Sequence, residues 1–234
     1  MKKKIWGILD RDSSFGRAMT LVSIIIGANI MFAIFSLPVV TIGPALAALF
    51  HVMFKMLRGH RDLNPIKEFW LGFKSNFKQG FLSSLVFLGI ALLLYVDIRF
   101  SGHMGGVLTY FKYALYAIAF AAAALAAYLY PVMACFADTL PHLARNAVFF
   151  MARNPLKMFI IVALDVVPLF LTYLDERMMP LYGFIWVTYG FALVALIDAK
   201  LLLKDFAKFL PKVNEWGEFV TEGEEENGEG GDVA

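Results

Sequence analysis

Leu37-Pro38-Val39-Val40-Thr41-Ile42-Gly43-Pro44 is the stretch on which the fold turns. Each of its two prolines lacks the N–H that a helix needs and crowds the turn before it, so one straight helix does not run through. Yet none of these residues is charged, and apolar runs lead in and out. A solvated loop would be polar. The stretch reads as the bend of a membrane hairpin.

Before the bend, residues 18–37 are apolar and long enough to cross a hydrocarbon core of about 30 Å. They carry one amide, Asn29, and a small-residue pair, Ser23 and Gly27, that lets another helix approach closely. After the bend, Gly43 and Pro44 suit the cap and first position of a second helix. That helix meets Lys55 and Arg58 after about a dozen residues, roughly 18 Å, which is short for a full span. Either the bend enters the membrane as extended chain, or the helix tilts and Lys55 reaches to the interface.

Composition agrees. The 234 residues are 60% hydrophobic and 17% charged, with mean hydropathy +0.68. A soluble domain has about 45–50% apolar and about 25% charged residues. The chain is therefore expected to be a polytopic membrane protein in contact with a lipid bilayer. A net charge of +2 makes no case for nucleic acid. Cys135 is the single cysteine, which excludes an intrachain disulfide and a cysteine-based zinc site. Lys2, Lys3 and Lys4 before an apolar run imitate a signal peptide. The run is too long and lacks a small-residue cleavage site, so it reads as a retained first span.

Residues 1–17 are basic, with Trp6 at headgroup level, and read as an interfacial segment. Residues 55–78 hold Lys55, Arg58, Arg61, Lys67, Lys74 and Lys78, with Phe69, Phe73, Phe77 and Phe81 at intervals of four and Trp70 beside the first. That spacing puts the rings on one helical stripe. The expectation is an amphipathic surface helix whose Phe69, Trp70, Phe73 and Phe77 dock a partner. A third span at residues 79–100 follows. The fourth, at residues 108–134, is alanine-rich and expected inside the bundle, with a kink at Pro131. Residues 138–157 suggest a second surface helix. The fifth and sixth spans are residues 155–173 and 180–203, and the organisation is residues 1–17, a six-helix membrane domain at 18–212, and an acidic tail at 213–234 expected to be disordered. The fold class is an all-α bundle of about six helices in three hairpins. Lysine and arginine collect in alternate connections, which places both termini in the cytoplasm. An offset of 78 residues aligns Asn76, Phe81, Leu93, Tyr95 and Asp97 with Asn154, Phe159, Leu171, Tyr173 and Asp175, which suggests related hairpins.

Asn29, residues 37–45, Lys55 and Arg58-Gly59 together resemble the YesL-like bacterial membrane proteins, a domain of unknown function. The resemblance continues through Phe69, Phe73-Lys74 and residues 76–79, and resumes at Tyr130-Pro131, residues 136–138 and Asn146-Ala147. It implies a context of carbohydrate uptake and utilisation, and it carries no catalytic residues.

Enzyme signals are poor. His51, His60, His103 and His142 are scattered without metal-ligand spacing. No phosphate loop or nucleophile elbow occurs, and no cofactor is expected. Asp165 is the carboxylate near the centre of a span, where a charge costs about 2.5–3.5 kcal/mol on insertion scales. It should face the bundle interior, and Pro168 loosens the same helix. Asp198 is expected to be solvated beside Lys200. Thr41 and Asn29 are expected to cap the helix that starts at Pro44, with Asp165 completing a ligand pocket between the first, second and fifth helices. Two functions follow: a non-enzymatic accessory protein that docks carbohydrate transporter subunits, or a small solute or ion transporter.

Overall fold

The computed structural model describes residues 14–59, 63–101 and 110–209. The basic N-terminal residues up to 13, His60, His103 and the acidic tail lie outside the described residues. All regular elements among the described residues are helical. They are α1 (Ser14–Phe35), a single 3₁₀ turn (Val39–Thr41), α2 (Ile42–Leu57), α3 (Pro65–Ser101), α4 (Phe111–Cys135), α5 (Leu140–Arg153) and α6 (Pro155–Leu174). A 3₁₀ turn (Glu176–Met178), α7 (Met179–Ile185), a π-helical turn (Trp186–Gly190) and α8 (Phe191–Phe206) complete the order. Among the described residues, six helical stretches are long and apolar enough to cross a membrane, the last running from α7 through the π turn into α8. The chain is an all-α membrane-type bundle.

The bend forms as its prolines require. Helix α1 stops at Phe35, so that residue's carbonyl lacks an intrahelical N–H partner. The Thr41 hydroxyl reaches back to the carbonyls of Phe35 and Pro38, 2.7 Å from each. This corrects the expectation that Thr41 caps α2: it repairs the end of α1 instead. The start of α2 is served from α3, where the Ser84 hydroxyl accepts the Gly43 N–H at 2.7 Å.

Helix α2 spans about 24 Å for its 16 residues. Its short length goes with a central position, against α1, α3, α4 and α8. Ala45, Ala47, Ala48, Leu49, Val52 and Met53 are fully buried there. Its closest partner is α3, and the two backbones nearly touch. A Cβ added to Gly80 would stand 2.6 Å from the Pro44 nitrogen, and one added to Gly72 would stand 3.1 Å from the Ala48 Cα. Glycine is required at this crossing by space alone.

Helix α3 corrects a second expectation. The basic aromatic segment and the third span are one continuous helix of 37 residues, about 55 Å long against a hydrocarbon core of about 30 Å. Its start is legible in retrospect: Asn64 Oδ1 accepts the N–H groups of Ile66 and Lys67 at 3.1 and 3.2 Å, with Pro65 at the first helical position. Helix α5, by contrast, is a separate amphipathic helix as expected. Its Leu143, Ala147 and Phe150 are buried, and Phe150 packs 4.7 Å from the Phe206 ring. The two segments paired by the 78-residue offset differ in build. Asn76 sits inside α3 and donates to the Gly72 carbonyl, whereas Asn154 stands at the break between α5 and α6.

Candidate functional site

Two polar centres lie within the apolar bundle. The first surrounds Asn29, which is fully buried. Its Nδ2 donates to the carbonyls of Trp186 and Val187 at 2.8 and 2.7 Å, and its Oδ1 accepts the Ala192 N–H at 2.8 Å. A π turn breaks the regular ladder and leaves carbonyls and an N–H out of register. One amide, with two donors and an acceptor, closes all three. Gly190 belongs to the same arrangement: a Cβ there would stand 2.7 Å from the Trp186 ring. Asn29 therefore joins α1 to the last span.

The second centre is a cavity of about 430 Å³ among α1, α2, α4, α6 and the last span. Such volumes are typical of sites for small molecules. Its walls are chiefly apolar and aromatic. Phe32, Phe50, Tyr130, Trp186 and Phe191 contribute rings, and Ala123, Ala126 and Ala127 contribute the α4 wall. Asp165 is the only carboxylic acid in the lining. The alanine run was expected to let helices pack tightly. Only part of it is covered, and three of its alanines leave open space instead. Pro131 has no N–H to give the Ala127 carbonyl, so the wall also carries a backbone acceptor short of its usual donor.

Behind Asp165 lies Asp198 of α8, whose side chain meets it. Asp198 is 1% exposed, and among the described residues no donor reaches either of its carboxyl oxygens. The expectation of a solvated Asp198 is thus overturned. Lys200 follows it by two positions and so points to another side of the helix, while Ala195, Ala199 and Leu202 share its buried face. Tyr128 on α4 is also buried, with an unpartnered hydroxyl, and lies within electrostatic reach of Asp198 and Asp205. Asp205, two turns beyond Asp198, pairs with Lys157 of α6 at 2.5 Å and accepts from Asn154 at 3.4 Å. Lys157 also donates to the Leu201 carbonyl at 3.1 Å.

The residues singled out from sequence are thus separated. Asp165 lines the cavity, while Asn29 and Thr41 spend their side chains on the backbone and do not line it. Their neighbours Phe32, Ser36 and Ile42 do. The aromatic stripe is also divided. Phe69 and Phe73 are buried and packed on Phe35, at 5.8 and 4.8 Å between ring centroids. Only Trp70 and Phe77 remain exposed for a partner, at 49% and 40%. No group of three or more potential metal ligands occurs among the described residues. His51 lies 3.5 Å from Glu68, which pairs with Lys55 at 2.9 Å, and His142 contacts Asp138 at 3.1 Å. Asp138 is held below the usual carboxylate range, first by the Thr139 N–H and then by His142.

Sequence reasoning missed Asp198 and Tyr128. The available signal was positional: Asp198 and Asp205 stand seven residues apart on one helical face, with Leu202 between them.

Comparison with known proteins gives the same broad picture. A family described as "Protein of unknown function, DUF624" matches residues 25–98, which cover half of α1, the bend, α2 and most of α3. The chain is 27% identical over 134 residues to the uncharacterised protein YteU of Bacillus subtilis (strain 168), a match covering 55% of this chain and 60% of that protein. No solved structure matches the chain. The chain is thus similar to proteins whose function is not established, and the part matched by the family holds the bend and Asn29 but not Asp165, Asp198 or the backbone partners of Asn29.

Proposed function

We propose that this protein is a non-enzymatic, multi-pass membrane protein that binds a small amphipathic organic cation in the cavity lined by Asp165, as a transporter does. The cavity carries the reading. Its walls are apolar and aromatic, which suits a hydrophobic body, and its one acid suits a positive charge. Aromatic faces attract cations as well, by about 0.5–2 kcal/mol depending on desolvation. Broken helices near membrane depth mark binding sites in transporters, and this cavity is lined by Trp186 of the π turn and by Tyr130, which precedes Pro131.

The accessory reading is second. Its support is the YesL-like resemblance, with its carbohydrate context, together with exposed Trp70 and Phe77. Burial of Phe69 and Phe73 removes half of the surface it invoked. The charge pattern of the connections supports cytoplasmic termini, and the YesL-like resemblance supports a bacterial plasma membrane location.

Titration calorimetry of the purified full-length chain with tetraphenylphosphonium tests the first reading. Saturable binding at one site, lost in Asp165→Asn, is expected. Binding of a neutral sugar instead, indifferent to Asp165→Asn, would return the carbohydrate reading to first place.

A further inference from the structure

We infer that Asp165 and Asp198 form a one-proton site that gives up its proton when a cation enters the cavity. The exchange rests on the cation-binding reading above; the proton site itself rests on the geometry of the pair.

An ionised carboxylate only accepts hydrogen bonds. The two carboxyls meet across the interface of α6 and α8, and no donor reaches either oxygen of Asp198. Two acceptor-only groups make a hydrogen bond only if one of them carries a proton. Leaving both ionised and dry would place two like charges side by side in the membrane, each costing about 2.5–3.5 kcal/mol on insertion scales before their repulsion is added. One shared proton removes one charge and makes the bond.

Among the described residues, the charged and polar groups on the helices around the pair are committed elsewhere, Tyr128 excepted. On α2, His51 and Lys55 are engaged with Glu68 of α3. On α1, Asn29 is committed to the π turn. On α6 and α8, Lys157 is already paired with Asp205, two turns from Asp198. On α4, Tyr130 shares the cavity lining with Asp165 and faces Ser83 and Ser84 of α3, and the buried hydroxyl of Tyr128 has no partner among the described residues. Lys157 and Asp205 are partly exposed, at 22% and 18%, and Tyr128 lies within electrostatic reach of both Asp198 and Asp205.

Asp165 belongs to both the pair and the cavity lining. A cation beside it supplies the positive charge that the proton supplied before. The protonated carboxyl then loses its O–H proton to solvent, both carboxyls are ionised, and the net charge of the site stays at minus one. No oxidant, reductant or further reactant is involved.

The test follows proton release and carboxyl infrared absorption in the purified full-length chain, using tetraphenylphosphonium as the probe. The ligand-free protein at neutral pH should show the carbonyl band of a protonated carboxyl, shifted in heavy water and absent in Asp165→Asn and in Asp198→Asn. Adding the probe in weak buffer should abolish the band and release one proton per cation bound. Binding by calorimetry without proton release, or a band unchanged by either substitution, would overturn the exchange and leave cation binding standing. Absence of binding by calorimetry would overturn the functional reading, and the exchange with it, whatever the infrared spectrum shows.

Discussion

Asn29 and Asp198 are both buried polar side chains in apolar spans, and they have opposite fates. Every hydrogen-bonding atom of the Asn29 amide is matched by a backbone group of the last span. Asp198 has no donor for either oxygen. An amide that satisfies three stray backbone groups is structural glue. A buried acid left without donors weakens the fold and is retained for something else. Burial alone does not mark a functional residue; the state of its hydrogen bonds separates the two roles.

The largest expected effect breaks the first centre. Asn29→Ala leaves two carbonyls and one N–H without partners, at about 1–3 kcal/mol for an unsatisfied buried group. Interhelical bonds in membranes average nearer 0.6 kcal/mol, so the sum is expected at about 2–4 kcal/mol. Unfolding of the purified protein in mixed micelles measures it. A loss below about 1 kcal/mol would mean that the π turn is satisfied without Asn29.

Next in size is the crossing that holds the bend. Gly80→Ala pushes a methyl group against the backbone of Pro44, with no flexible side chain to give way. Overpacking of this kind costs about 1–3 kcal/mol. The same unfolding assay should show it, whereas Gly89→Ala, with nothing near its added Cβ, should gain stability by up to about 1 kcal/mol. Equal effects at the two glycines would contradict the close approach.

Asp198→Asn sharpens the comparison from the other side. It replaces a carboxyl without donors by an amide that can donate to Asp165, so the fold should keep or gain stability, by up to about 1 kcal/mol. Proton release on cation binding should vanish. A large destabilisation would show that the acid pair is structural after all.

The smallest effect is expected at the outer end of the same helix face. Asp205→Asn weakens the partly exposed pair with Lys157 and should cost no more than about 1 kcal/mol, while leaving cation binding intact. Tenfold weaker binding would extend the site to that pair.

Much of this fold is legible in sequence, for local reasons. Two prolines around an uncharged stretch mark the bend, and the apolar runs give six spans. The positions of Asn29 and Asp165 inside spans single them out. Their partners are not legible, because partnership depends on how helices rotate against one another. Thr41 is close in sequence to α2, yet the stray carbonyl of Phe35 claims it. Phe69 and Phe73 form a stripe that suits a docking face and a core equally, and the bare glycines Gly72 and Gly80 on the same helix decide for the core by drawing α2 close. Asp198 beside Lys200 resembles an interfacial acid until the buried face of α8 is known.

The division between glue and site is tested most directly by measuring two quantities on two variants. Unfolding free energy and tetraphenylphosphonium affinity are determined for Asn29→Ala and Asp165→Asn. The expected result is a crossed pattern: Asn29→Ala loses about 2–4 kcal/mol of stability while its folded fraction still binds, and Asp165→Asn stays within about 1 kcal/mol of the parent but no longer binds. Binding retained by Asp165→Asn, together with a loss of stability like that of Asn29→Ala, would make both centres structural and contradict the account.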